Sequence, residues 1–384
     1  MPSTPLPVLI ECLSELPDPR VERTRLHRLL DILTVGICAV ICGAEGWDDM
    51  TRFGRSKEDW LREKLDLSLP NGIPSADTFR RVFARLQPEK LQEAFQRWTK
   101  QLYVMTDGEV ISLDGKTLRH SFDTAFGKSA IHMVSAWASS ARLVLGAVKV
   151  DEKSNEITAV PLLLAAMDIK GCIITADALN TQKSIAAQIV AQEADYMLPV
   201  KENHPHLFQD IQNLFEHAHK HRFEGFEHSH NTSRTYGHGR VETRFCEAIL
   251  LQPNDPFWGD VQQEWAKLTG LVRIERTRET SKGTTSEVCY YISSLRANAD
   301  RYQRVARKHW GIENRLHYIL DVSLDEDNCR IRKDHGAENF AVLRHITLNL
   351  LRQEQTTKAG VRAKQKLAGW DHEYLTRVLL SDVD

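Results

Sequence analysis

Three short segments of the 384-residue chain end or centre on a carboxylate: Val110-Ile111-Ser112-Leu113-Asp114-Gly115-Lys116, Cys172-Ile173-Ile174-Thr175-Ala176-Asp177-Ala178 and His309-Trp310-Gly311-Ile312-Glu313-Asn314. The first two are apolar and β-branched and run into an acid, as buried strands do at their ends; the third has helical periodicity around its glutamate. Magnesium takes oxygen ligands and keeps positions open for substrate phosphate, so carboxylates drawn from different elements are enough to hold it. Asp114, Asp177 and Glu313 therefore form a candidate site for metal-dependent phosphodiester chemistry.

The elements that must position these acids follow from the hydrophobic period. Residues 6–102 are helical throughout, with breaks at 17–19, 43–46 and 70–74; Ser75 or Asp77 then caps a helix bearing Arg80 and Arg81, which either docks on phosphates or is an ordinary amphipathic helix. From Glu109 the period changes to strands. Strand one ends at Asp114, strands two and three span 131–139 and 142–150, a helix covers 157–167, strand four 172–177, a helix 182–193 and strand five 196–201. This β-β-β-α-β-α-β order predicts an α/β fold with a ribonuclease-H-like mixed sheet, strand one central and strand four beside it. Asp114 and Asp177 then lie together, where like charges repel unless cations stand between them. Residues 201–299 read as a β-rich insertion with strands at 240–251, 268–277 and 287–294, and helices return at 300–321 and 337–351. On the first of these, His309, Glu313 and His317 fall at i, i+4 and i+8, which flanks the glutamate with two imidazoles. The expected domains are a helical, DNA-associated unit at 1–104, a catalytic domain at 105–352 with its insertion at about 205–298, and a basic C-terminal tail at 353–384.

Composition narrows the class. The chain is 42% hydrophobic, enough for a sizeable core, and its longest apolar run, 32–42, is too short to cross a bilayer; no basic, apolar leader opens it. Seven scattered cysteines read as reduced cytoplasmic thiols. A net charge of -2 gives no global signal for nucleic acid, so binding must rest on local patches: Arg20, Arg23, Arg25 and Arg28; Arg301, Arg304, Arg307 and Lys308; or Lys358, Arg362, Lys364 and Lys366. Each patch taken singly reads as a solvated face. The run His217, His219, His221, His228 and His230 lacks cysteine partners and regular spacing and reads as a helix end and loop, not a zinc site. Residues 325–334 lack the glycine a calcium loop needs at its sixth position.

In order along nearly the whole chain stand Pro17-Asp18-Pro19-Arg20, Asn71-Gly72-Ile73-Pro74-Ser75, Asp114-Gly115-Lys116-Thr117-Leu118-Arg119, Asp177-Ala178 with Gln182, Gly237-His238-Gly239-Arg240 with Glu242 and Arg244, and His309-Trp310-Gly311-Ile312-Glu313-Asn314-Arg315-Leu316-His317, continued by Asp321-Val322, Glu326-Asp327 and Arg330. This set resembles the H-repeat-associated insertion-sequence transposases, DDE-type enzymes linked to Rhs elements in bacteria. Where the broader DDE group with a β-insertion carries tyrosine, arginine and lysine around the last glutamate, this chain has Ala306, His309 and Leu320. The loop Lys201-Glu202-Asn203-His204 departs as well, since relatives tend to show glycine and glutamine there.

The resemblance implies two Mg²⁺ or Mn²⁺ ions, one held jointly by Asp114 and Asp177 and the other by Glu313 with Asp114, serving DNA cleavage and strand transfer at insertion-sequence ends. It implies double-stranded DNA (terminal repeats and target) as partner, a homodimer in the DNA complex, no membrane, and a bacterial, nucleoid-associated cytoplasmic protein. Lys116, Arg119 and Lys201 are candidate phosphate contacts, Lys116 alternatively pairing with an acid. Arg240 and Arg244 either reach DNA from the insertion or form an ion-pair ladder with Glu242. His309 and His317 either hydrogen-bond Glu313 or a phosphate, or pack beside Trp310. Two other readings remain: a catalytically silent DNA-binding remnant, and a ribonuclease-H-like nuclease without strand joining.

Overall fold

The computed structural model describes residues 5–122, 129–150, 155–237, 239–253 and 255–380. His238 of the glycine-histidine motif lies outside the described residues. The N-terminal helices are α1 (Pro5–Ser14), α2 (Leu29–Ile41), α3 (Trp47–Ser56), α4 (Glu58–Leu65), α5 (Ala76–Arg85) and α6 (Pro88–Leu102). α2 is apolar on nearly every side and runs buried through the middle of the group, as a helix without a polar face must. Ser75 caps α5, its hydroxyl accepting from the Thr78 N–H at 3.3 Å, and Pro88 opens α6, where a missing N–H costs nothing. Arg80 and Arg81 both pair with Asp77 on their own helix, the arrangement of an ordinary amphipathic face.

The sheet begins with β1 (Val110–Thr117), β2 (His132–Ala138) and β3 (Leu143–Val150), an antiparallel meander. Helix α7 (Glu156–Ala165), β4 (Ile173–Thr175), α8 (Lys183–Ala191) and β5 (Asp195–Val200) follow. β4 pairs parallel with β1 and with β5, so β1 lies between β2 and β4, giving the ribonuclease-H-like order 3-2-1-4-5. β1 differs from expectation in running three residues past Asp114, because β2 continues to pair with it after β4 has ended.

The insertion holds α9 (Pro205–Lys220), β6 (Glu227–Gly237), β7 (Arg240–Leu250), α10 (Gly259–Glu264), β8 (Gly270–Thr280) and β9 (Gly283–Ser293). β9 pairs antiparallel with β5, so the insertion extends the catalytic sheet instead of standing apart, and a nine-stranded sheet results, in the order 3-2-1-4-5-9-8-7-6. β6 escaped the periodicity reading because it is the outermost strand and its residues, His228 and His230 among them, have no apolar alternation.

Helix α11 (Ala299–His309), α12 (Tyr318–Val322), α13 (Gly336–Gln353), α14 (Val361–Trp370) and α15 (His372–Leu380) complete the chain. α11 crosses the face of the sheet over β1, β4 and β5. α13 to α15 share one apolar core with α1 to α6, in which Phe340, Ile346, Leu375 and Val378 pack with Leu33, Ile37, Phe83 and Trp98. Within the segment expected as a basic tail, residues 361–370 and 372–380 form packed helices, and they share this core with the N-terminal helices. Lys364, read as part of a basic patch, is buried against Glu354 and the Leu351 carbonyl. Burying the apolar side of α15 outweighs the charge that made the segment look solvated.

Candidate active site

The register of β1 and β4 explains how the two aspartates meet. Val110 stands opposite Ile173 and Ser112 opposite Thr175; carried on by two residues, the same offset sets Asp114 opposite Asp177. Asp114 is held on a strand, 22% exposed, with one oxygen accepting the Gly115 N–H at 3.0 Å. Asp177 caps the short helical turn 178–180 that leaves β4, its Oδ1 accepting both the backbone N–H of Asn180 at 3.1 Å and its side-chain Nδ2 at 2.7 Å. Burial, opposed by the Gly115 N–H and reinforced by the charges of Asp177, Glu156 and Glu313, pushes the Asp114 carboxyl up to about 7. The three sequence-predicted acids thus share one electrostatic neighbourhood.

Glu156 belongs to it and was missed. It opens α7, where an acid in the first turn reads as compensation of the helix dipole. Its side chain is only 14% exposed, with Oε1 2.7 Å from His132 Nε2 and Oε2 accepting from Asn180 Nδ2 at 2.8 Å.

Glu313 lies in a widened, π-helical turn (Glu313–His317) between α11 and α12 and faces solvent. Among the described hydrogen bonds neither flanking imidazole reaches Glu313, and His309 packs beside Trp310, ring centroids 6.3 Å apart. His309 Nδ1 instead stands 3.0 Å from Thr175 Oγ1 on β4, and His317 Nδ1 is 3.5 Å from Asp114 Oδ2. Burial pushes both imidazoles down to about 4, so they face the two strands as neutral rings.

The expected phosphate contacts separate into two kinds. Lys116 is 12% exposed and its ammonium is taken by Asp321, by Glu326 at 2.6 Å and by Asp327 at 3.5 Å, which ties β1 to the segment after Glu313. Acid pairing, the alternative reading, is its arrangement in this structure. Arg119 is 75% exposed with Asp327 at 3.3 Å, and Lys201 is exposed on a loop whose Asn203 donates to the Ala178 carbonyl beside Asp177. Arg240 and Arg244 both pair with Glu242, yet both line a cleft of about 720 Å³ between β7 to β9 and the α11 side.

Arg142, Arg276, Arg304, Arg307, Lys308 and Arg315 also line that cleft, against two carboxylates, Glu242 and Glu287. Burial first, and then Arg307 and Arg276, hold Arg244 below the usual guanidinium range despite Glu242. At one end Arg352 stacks on Trp137, 4.4 Å from the ring centroid, donates to the carbonyls of Arg142 and Arg315, and is pushed down to about 9 by burial and by those two arginines. Cations crowded to this degree are stabilised by a polyanion. The turn carrying Glu313 also places Asn314 and Arg315 in the cleft, so the acids and the basic channel adjoin.

The family described as Transposase DDE domain matches residues 105–350, and its associated N-terminal family matches residues 10–99. The chain belongs to the DDE transposases. It is 40% identical over 375 residues to the Escherichia coli K12 protein named "H repeat-associated putative transposase YhhI", covering 97% of each chain. It is 42% identical over 236 residues to YbfD of the same strain, also named for the H repeat, covering 62% of this chain and 91% of that one. Among solved structures, the piggyBac transposase in a synaptic complex with hairpin DNA aligns with 98% of this chain and 76% of its own at 12% identity and a TM-score of 0.45. Among the described residues no helix is long and apolar enough to cross a membrane.

The donor set fits a hard divalent cation. Its groups are carboxylate oxygens, burial and then their mutual repulsion raise Asp114, and Asp177 Oδ2 has no hydrogen-bond partner among the described residues. Among the described residues no group of three or more such side chains is gathered to hold a metal by itself. Magnesium commonly binds through one or two carboxylates, water and phosphate supplying the rest, so an open arrangement is the one its chemistry uses.

Proposed function

We propose that this DDE transposase cleaves insertion-sequence ends and joins them to target DNA, using Asp114, Asp177 and Glu313. The observation that carries the reading is the turn at Glu313, an exposed acid whose charge is felt by the buried Asp114 and whose next two residues, Asn314 and Arg315, line a cleft with six more cations than acids. Asp114 with Asp177, and Asp114 with Glu313, would hold divalent ions, which when bound activate the attacking oxygen and stabilise the leaving one. The chain's own groups do the rest. Neutral His317 orients Asp114 and neutral His309 braces the end of β4, neither adding charge beside the DNA. Arg142, Arg307 and Arg315, which have no carboxylate partner among the described residues, would track the phosphate backbone past the acids, with Arg240 and Arg244 exchanging Glu242 for phosphate. Arg119 and Lys201 stand ready for flanking phosphates on the other side. Joining two element ends calls for two protomers in the DNA complex, acting at the nucleoid of a bacterial cytoplasm.

The test is incubation of the full chain with DNA carrying the repeats that flank its gene, with Mg²⁺ or Mn²⁺, read for nicks with 3′-hydroxyl ends at the element boundary and for joined products. Binding without cleavage by folded protein would favour the silent remnant. Cleavage of branched or hybrid substrates without joining would favour the nuclease.

A further inference from the structure

The amide of Asn180 lies between two acids. It is fully buried, and its Nδ2 donates to Asp177 Oδ1 at 2.7 Å and to Glu156 Oε2 at 2.8 Å, one hydrogen for each carboxylate. Glu156 is held from its other side by His132 at 2.7 Å, and His132 Nδ1 stands 2.9 Å from the Thr117 hydroxyl. An ionised Glu156 only accepts, so the ring donates to it from Nε2, and Nδ1 is hydrogen-bonded with the threonine hydroxyl. A continuous hydrogen-bonded path therefore runs from β1, three residues past Asp114, through β2 and α7 to Asp177, independent of the β1–β4 ladder.

We propose that Asn180 and Glu156 are positioning residues that hold the Asp177 carboxylate so that its Oδ2 faces the cation it shares with Asp114. This rests on the reading of the acids as a metal site. With Oδ1 bound twice by Asn180, rotation of the Asp177 carboxylate breaks two hydrogen bonds, and only Oδ2 is left to ligate. Both Glu156 oxygens are engaged, which makes it a support for Asp177 and not a ligand. The inference also accounts for the glycine after Asp114: a Cβ at Gly115 would collide with Glu156 Oε1 and His132 Nε2, so only glycine lets β1 pass beneath this path.

Groups that orient metal-binding side chains typically change metal affinity about 10- to 100-fold when removed. Mn²⁺ binding to the full-length protein, followed by electron paramagnetic resonance without DNA, should weaken by about that factor in Asn180→Ala, Glu156→Gln and Gly115→Ala, with metal-free DNA binding unchanged. Asn180→Asp keeps the shape but faces two carboxylates with a third, and should fail equally; a side chain that only fills space would tolerate it. Wild-type Mn²⁺ affinity in folded Asn180→Ala or Asn180→Asp overturns the inference. If neither folds, Glu156→Gln, nearly the same volume, decides by the same reading. A wild-type protein that binds no Mn²⁺ either alone or with uncut end DNA, or an Asp114→Asn variant that binds it normally, overturns the metal-site reading itself.

Discussion

Glu354 and Asp114 are both carboxylates withdrawn from water, and they titrate in opposite directions. Glu354, in the helical core, meets donors: the Thr356 hydroxyl, the Thr357 N–H at 3.1 Å, Tyr374 at 2.9 Å and Lys364 at 3.2 Å. Burial alone would raise its pKa, and these partners outweigh it, so the group is held below the usual range. Asp114 receives one backbone N–H, with a neutral imidazole 3.5 Å away, while Asp177, Glu156 and Glu313 add to the burial that lifts it to about 7. Donors gathered around an acid stabilise the fold; acids gathered around an acid cost stability and leave a demand for a cation. Lys116 divides the two regimes: two residues past Asp114, it answers Asp321, Glu326 and Asp327, so its part of the acid-rich surface behaves like the core.

The largest effect expected is on cleavage. Asp114→Asn, Asp177→Asn and Glu313→Gln should each reduce nicking of end DNA to background while gel-shift affinity stays close to wild type; full nicking by any of them breaks the site assignment. Next comes Lys116→Met, which leaves Glu326 charged and buried and should lower unfolding free energy by about 3–5 kcal/mol in denaturant titration, with much of it regained in Lys116→Met/Glu326→Gln. The comparison itself is sharpened by pH. The lowered pKa of Glu354 contributes stability above its ordinary value of 4.5, lost as pH falls through the folded value, so Glu354→Gln should destabilise by about 1–3 kcal/mol at pH 8 and less in acid. The raised pKa of Asp114 works the other way: metal-free stability declines as pH rises from 3.8 to about 7, so Asp114→Asn should raise the melting temperature at pH 8 and leave it unchanged near pH 4. Smallest is Arg315→Ala, which should weaken DNA binding and reduce the slope of log affinity against log salt by about 1, the contribution of one phosphate contact.

Much of this was legible because strand and helix periods are local. The apolar runs into Asp114 and Asp177, separated by the 63-residue offset of the parallel register, are visible in the sequence alone. Three things are not. Glu156 carries the signature of a helix start, and its approach to Asn180 depends on how α7 packs against the turn after β4. The partners of His309 and His317, Thr175 and Asp114, lie on strands far off in sequence, and the π-helical turn carrying His317 departs from the ideal helix. The last helices hid Tyr374, Leu375, Val378 and Leu379 at helical spacing among charges, and their partners lie on α1 and α13, far off in sequence. The expected fold held in the meander and in the crossover that sets β4 beside β1, and was incomplete where β6, without an apolar face, joined the outer edge of the sheet.

Single-turnover cleavage of pre-bound end DNA, started by adding Mg²⁺, tests the central contrast most directly in wild type, Asp114→Asn and Glu354→Gln below their melting temperatures. Wild type and Glu354→Gln should cut at similar rates, and Asp114→Asn should hold its DNA uncut. Cutting by Asp114→Asn, or a folded Glu354→Gln that binds but does not cut, would contradict the division of the acids into those that hold the fold and those that do the chemistry.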